Sequence, residues 1–405
     1  MSEKQNQPSS FSIHEESDVG WDIHTPVNET VDAQGHPFPD KVFFGVPDPR
    51  APKRRAYDDP EVEALRQRLK QNNGIRGLDI CEPDQLDQIA RIFHRDGFVV
   101  VRNLLNAEQL DRFRVGCVQR LQQILNIAGE GERKYVTESY RLPHRYSLGT
   151  SSASRELLHD PIWASMVDLP TTTPILEKIF GSLDYRVRGA GGDLCLPGAV
   201  EYQHLHSDVE DEQVIPAGRI EQAIASGVDV KLDERGEPDL LSKRLIMEMA
   251  PGYITINFLM SDLTWENGPI RQVPGTHITR QLPPTPEQEP EWMRLSTLVG
   301  AKAGDGVIRD LRAWHGATPN LGRSIRAMPN VEYVSPWVPE ALSRQTMPDE
   351  IWQSLTAHGK KICRLVKADP GVWPAGAGEM HPIASSRKAL KQQSKLNPKA
   401  TKQDD

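Results

Sequence analysis

The chain has 405 residues, enough for one large domain with extensions or for two ordinary ones, and with 38% hydrophobic residues a sizeable core is within reach. A formal net charge of −8 argues against a nucleic-acid-binding face, no run approaches the roughly 18 apolar residues of a bilayer span, and the acid-rich start MSEKQNQPSSFSIHEESDVG lacks the apolar stretch of a secretory signal. Four scattered cysteines without a CxxC pair suit a reducing compartment, exclude a disulfide framework or structural zinc site, and lead to the expectation of a cytoplasmic protein.

Residues 1–57 are polar and proline-punctuated, so an irregular or partly disordered arm is expected. Asp59-Pro60 then opens a predicted helix, PEVEALRQRLKQ, that ends at Asn-Gly. A second helix is predicted from Pro83. Its Leu86, Ile89, Ala90 and Phe93 have helical spacing, and Asp96-Gly97 stops it. FVVVRNLL (98–105) has the composition of a buried strand. AEQLDRFRVGCVQRLQQIL follows, with Leu110, Phe113, Cys117, Leu121 and Ile124 on one helical stripe.

From about 130 to 340 the texture changes to short apolar runs divided by Gly and Pro, such as YITINFLMSDL, VIRDLRAWHG and VEYVSPW. Many short strands of this kind, preceded by helices, predict a mainly β fold with flanking helices, a β-sandwich or a jelly roll. A charged, weakly helical insertion at 209–246 interrupts the pattern and is either a lid or a surface excursion. The main domain is expected over 58–340, a C-terminal extension over 341–384, and a disordered basic tail over 385–405.

The densest chemistry lies in EYQHLHSDVE (201–210), where His204, His206, Asp208 and Glu210 share one parity and would face one way on a strand. Two readings use different subsets. A mononuclear Fe(II) site needs two imidazoles and one carboxylate on one face of the ion, leaving the opposite positions open. His206-x-Asp208 supplies two ligands, and His315 in IRDLRAWHGATPN is the remote third candidate. A cupin-type site would instead take His204, His206 and Glu210 from the same strand and need no oxo acid. Arg326, eleven residues after His315, is a candidate clamp for a buried carboxylate, because its planar fork accepts two oxygens at once. Arg323 reads as a solvated surface residue.

Four blocks carry a resemblance. FHRDGFVVVRNLLNAEQLDRFR (93–114), YQHLHSD (202–208), DLTWENGPIRQVPGTH (262–277) and WHGATPNLGRSIRA (314–327) together resemble the phytanoyl-CoA dioxygenase family of Fe(II)/2-oxoglutarate-dependent oxygenases, with Thr276 where serine is usual. The likeness covers roughly 90–336. It implies a double-stranded β-helix (jelly-roll, cupin-like) core, iron on His206, Asp208 and His315, and the distal carboxylate of 2-oxoglutarate on Arg326. It also implies co-substrate contacts from Gln203 and Asn257, turn roles for Asn267-Gly268 and Pro274-Gly275, and a supporting role for His277. His204 and Glu210 become neighbours of the site. The implied reaction uses O2 and 2-oxoglutarate to oxidise, most simply to hydroxylate, a C–H bond of a small organic molecule. No nucleic-acid or membrane partner is expected, and the oligomeric state is left open. Arg186, Arg188 and Arg271 are the candidate polar contacts to substrate.

Overall fold

The computed structural model describes Ile13, Gly20, Trp21 and residues 56–126, 144–151, 156–209, parts of 217–242, 251–279, 281–336, 338 and 345–369. Helix α1 (Pro60–Gln71) forms as read: the Asp59 carboxylate accepts the Glu61 amide at 2.8 Å and Pro60 presets the first turn. Helix α2 (Leu86–Asp96) starts three residues later than Pro83. The Gln85 side chain takes the Glu82 amide at 2.8 Å, so residues 82–85 close a turn of their own first. It ends on Gly97, whose left-handed φ of 81° lets the chain turn into strand β2. Helix α3 (Ala107–Asn126) buries Phe113, Cys117 and Leu121 of the expected stripe.

Strands β1 (Ile80–Cys81), β2 (Phe98–Val101), β3 (Arg145–Ser147), β4 (Arg186–Cys195), β5 (Tyr253–Phe258), β6 (Ile270–Gln272), β7 (Gly306–Asp310), β8 (His315–Ala317) and β9 (Arg326–Val334) build the core. Seven of them form one sheet in the order β1-β2-β7-β5-β9-β4-β3, parallel only at β1-β2, and β6-β8 form a separate antiparallel ladder. The jelly-roll core with flanking helices is thus the architecture of the chain.

Alternation divides the major sheet into two faces. Ile254, Ile256, Phe258, Ile308, Val331, Tyr333 and Leu194 join the main hydrophobic core. The other face is largely polar, and cross-strand pairing arranges it in rows. One row is Arg145–Cys195–Arg326, and another is Gly189–Glu332–Thr255–Arg309. The cavity described below lies between this face and the β6-β8 ladder.

Short helices complete the frame: α4 (Pro161–Ala164), α5 (Thr173–Phe180) and α6 (Ala217–Ala225). A buried ion pair, Arg120 to Asp160 at 2.6 Å, ties α3 to the start of α4. Residues 345–369 form two short helices that dock through Asp168, whose carboxylate accepts Thr173 and binds His358 at 2.8 Å each and also accepts Thr356. From the expected N-terminal arm, Ile13 joins the main core and Trp21 donates to the Gly322 carbonyl at 2.6 Å. The expected basic tail at 385–405 lies outside the described residues, as does much of the 209–246 insertion, including Glu210. Among the described residues no helix is long and apolar enough to cross a membrane.

Candidate metal centre

His315 opens β8, and His206 pairs with it backbone to backbone: each amide donates to the other's carbonyl at 3.0 Å. Residues 201–209 form no regular strand, so shared parity is not what orients the ligands. The single bridge fixes His206, and the Asp208 amide donates to the Leu311 carbonyl at 2.9 Å, which turns its carboxylate back toward the histidines. The result is a cluster of His206, Asp208 and His315 whose potential ligand atoms lie within 4.8 Å of one another. His206 Nε2 is 3.8 Å from Asp208 Oδ1, and His315 Nε2 is 3.5 Å from Asp208 Oδ2. His204 is exposed and outside the cluster; it contributes its carbonyl, 3.2 Å from His206 Nδ1.

Charge follows from the surroundings. Burial beside Arg309 pulls the His315 imidazole down to about 3, and burial lowers His206 against the pull of Asp208. Burial alone would raise Asp208, but His315, Arg309 and His206 outweigh it and hold the carboxyl well below the usual carboxylate range. Near neutral pH the cluster is therefore two neutral imidazoles and one carboxylate, the state a divalent metal requires. Two Nε2 atoms and one carboxylate oxygen on a cavity wall fit Fe(II), whose remaining positions would face the open space.

The cluster lines a cavity of about 230 Å³ that also meets Arg145, Gln203, Arg309, Arg326, Asn330 and Glu332. Arg326 is buried. Its Nε donates to the Gly268 carbonyl at 3.1 Å, while Nη1 has no partner among the described residues. Arg145, two strands away in the same row, spends its nitrogens on the Glu201 and Thr318 carbonyls (2.7 Å each) and on Cys195 Sγ, leaving Nε unpartnered. Among the described residues no ion pair joins either arginine to a carboxylate, and Asp193, which lines the same cavity, interacts with Arg145 by charge. Only their row position betrays Arg145, and a register across three strands is not visible in sequence.

Gln203 lines the cavity. Asn257 does not line it; its cross-strand neighbour Asn330 does, and the two amides meet at 3.5 Å. Gly268 and Gly275 have φ of 72° and 76°, which fits their reading as turn formers. His277 packs against Gly97 with Nε2 3.1 Å from the His94 carbonyl, away from the cavity. Arg186 bonds the Ser335 carbonyl, Arg271 pairs with buried Glu289 and the Gln203 carbonyl, and Arg323 lies over the Tyr57 ring. Those three arginines are thus tied into the frame. Arg188 pairs with cavity-lining Glu332 at 3.0 Å.

The floor of the cavity is β4, whose glycines have different constraints. A side chain at Gly189 would collide with Glu156, and Gly192 has a φ of 141° that L residues rarely adopt. Gly191 faces open space, with only Asn330 Oδ1 within reach at 3.7 Å.

Residues 242–328, which include His315 and Arg326, match the family described as phytanoyl-CoA dioxygenase (PhyH). The match spans this segment alone, and over it the chain is similar to the phytanoyl-CoA dioxygenase family. The chain matches no curated protein by sequence. Among solved structures it is similar to the non-haem α-ketoglutarate-dependent epimerase SnoN from nogalamycin biosynthesis, at 18% identity and a TM-score of 0.41, covering 62% of this chain and 82% of that one. It is similar also to AviO1 from Streptomyces viridochromogenes Tue57, at 20% identity and a TM-score of 0.41, covering 64% and 98%. The non-haem α-ketoglutarate-dependent carbocyclase SnoK from nogalamycin biosynthesis aligns at 20% identity and a TM-score of 0.40, covering 62% and 85%.

Proposed function

We propose that the chain hydroxylates a C–H bond of a small organic molecule, with Fe(II) held by His206, Asp208 and His315 and the distal carboxylate of 2-oxoglutarate held by Arg326. The observation that carries this reading is the pairing, in one cavity, of a His-Asp-His cluster with a buried arginine whose Nη1 has no partner among the described residues. A cation kept dry without a carboxylate is costly, and an anionic ligand offsets that cost. The bound iron supplies the activation of O2 that oxidises both 2-oxoglutarate, to succinate and CO2, and the substrate.

The residues do the rest. His206 and His315 present Nε2 from a backbone bridge, so the spacing of the two ligands is set by main chain rather than by rotamers. Asp208 brings the negative charge. Arg326 fixes the far end of the dicarboxylate by charge-assisted hydrogen bonds, and Arg145 adds a second cation that favours a dianion over a monoanion. Gln203 borders the space between the two ends. The glycine floor of β4 leaves room for a substrate over the metal face.

Anaerobic titration of the Fe(II)-loaded protein with 2-oxoglutarate tests the reading: a visible metal-to-ligand charge-transfer band is expected. Absence of the band would refute co-substrate chelation and favour a cupin-type protein that uses no oxo acid. Screening small molecules for those that accelerate succinate formation then identifies the substrate class, and a hydroxylated product is the expected outcome.

A further inference from the structure

A third cavity arginine stands where a metal site needs no cation. Arg309 lies on β7, opposite Thr255, with its side chain 5% exposed. Its Nη2 is 2.8 Å from Asp208 Oδ2 and its Nη1 is 2.7 Å from His315 Nδ1. One guanidinium therefore engages two of the three proposed metal ligands. Neither contact is required to build the fold, because β7 is already held between β2 and β5.

We propose that Arg309 makes divalent-metal binding conditional on an anionic co-ligand, a reading that rests on the metal assignment above. Three features support it. The Asp208 charge is already shared with Arg309, so a dication arriving at this carboxylate meets a fixed positive charge beside it. His315 Nδ1 has two partners that make opposite demands. It accepts from Arg309, or it donates to the Ala313 carbonyl at 3.1 Å, and only the second arrangement leaves the Nε2 lone pair free for a metal. The first arrangement is thus a resting state that competes with metal. The third feature is the cationic row of Arg145 and Arg326 at the other end of the same cavity. A dicarboxylate held by these guanidiniums would offset the charge of a dication arriving beside Arg309.

An arginine that merely oriented Asp208 would make the opposite prediction: its removal would loosen metal. Because linkage is reciprocal, the coupling is measurable from either ligand. Mn(II) binding to the metal-free full chain, followed by electron paramagnetic resonance with and without 2-oxoglutarate, reads it without turnover. In the unaltered protein 2-oxoglutarate is expected to tighten Mn(II) by about tenfold or more. Arg309→Met is expected to bind Mn(II) alone about tenfold more tightly than the unaltered protein, with the effect of 2-oxoglutarate shrinking to about threefold or less. Arg309→Lys keeps the charge and should keep most of the coupling. Should the Met variant fail to fold, Arg309→Gln carries the same expectation. Weaker Mn(II) binding in the neutral variants, or undiminished tightening by 2-oxoglutarate, would overturn the inference. Failure of the unaltered protein to bind Mn(II) under either condition would instead overturn the metal assignment itself, and this inference with it.

Discussion

Replacing Arg326 by methionine should separate co-substrate affinity from stability, and in opposite directions. The side chain is 2% exposed, makes its one hydrogen bond among the described residues to the Gly268 carbonyl, and shares its row with a second buried arginine. Without ligand, the guanidinium is a buried cation with no ion-pair partner among the described residues, and buried ionic groups replaced by packed apolar ones commonly return about 1–4 kcal/mol. The lost bond to Gly268 takes back about 1 kcal/mol, so a net gain on the order of 1–2 kcal/mol is expected for the ligand-free protein. For a chain of this size that is a rise in Tm of a few degrees, at about 2–4 °C per kcal/mol for domains of 150–250 residues. With ligand the sign reverses. Losing the arginine's charge-assisted hydrogen bonds to a carboxylate, at roughly 1.5–3 kcal/mol each, weakens 2-oxoglutarate by about a hundredfold or more. Thermal unfolding of the metal-free protein and anaerobic titration of the charge-transfer band measure the two effects separately. A variant that is less stable yet binds 2-oxoglutarate normally would refute the reasoning, because Arg326 would then be a framework residue.

Other outcomes follow from the same geometry. His206→Ala should cost at least about a hundredfold in metal affinity, whereas His204→Ala should change it by less than about threefold, since His204 offers only its carbonyl to the site; titration with Co(II) distinguishes them. Gly316→Ala should lower metal affinity by about tenfold while the fold survives, because its Cβ would meet the Gln203 carbonyl at 2.8 Å and push the His206 segment away; the same titration, alongside circular dichroism, checks this. The metal-free protein should lose stability on acidification. His315 and His159, buried beside Arg309 and Arg120 respectively, sit at about 3 and about 4 when folded, against 6.5 when unfolded. The unfolded chain therefore takes up more protons below pH 6.5, and at pH 5 each histidine withdraws up to about 2 kcal/mol. Urea unfolding at pH 7 and pH 5 measures the difference, and equal midpoints would contradict it.

The sequence announced the metal cluster more clearly than the route by which the chain assembles it. His206, Asp208, His315 and Arg326 could be named because HxD, a remote histidine and a following arginine are local patterns with a chemical purpose. EYQHLHSDVE does not form the strand that its alternation predicts: Asp208 is turned by its amide bond to Leu311, and one bridge between His206 and His315 takes the place of a ladder. Helices α1 and α3 were legible because caps and apolar stripes are encoded within a dozen residues. Arg145 and Arg309 were not, since their importance depends on which strands lie beside them. The one available hint was a charge at an inward position of the apolar run VIRDL, where hydrophobic pairing would favour valine or isoleucine. Asn257 was read one strand away from Asn330, a displacement that only cross-strand pairing reveals.

Gly191 bears on how this chain can change with time. It borders the cavity, its backbone is ordinary, and among the described residues only an amide oxygen stands in front of it. A methyl or isopropyl group there would subtract volume from the substrate while leaving the metal ligands, the arginine row and the fold untouched. Position 191 is thus a dial on substrate size that selection can turn by single nucleotide changes. For the same reason Gly191→Cys offers a thiol facing the cavity, on which a fluorescent or spin label would report directly on substrate entry.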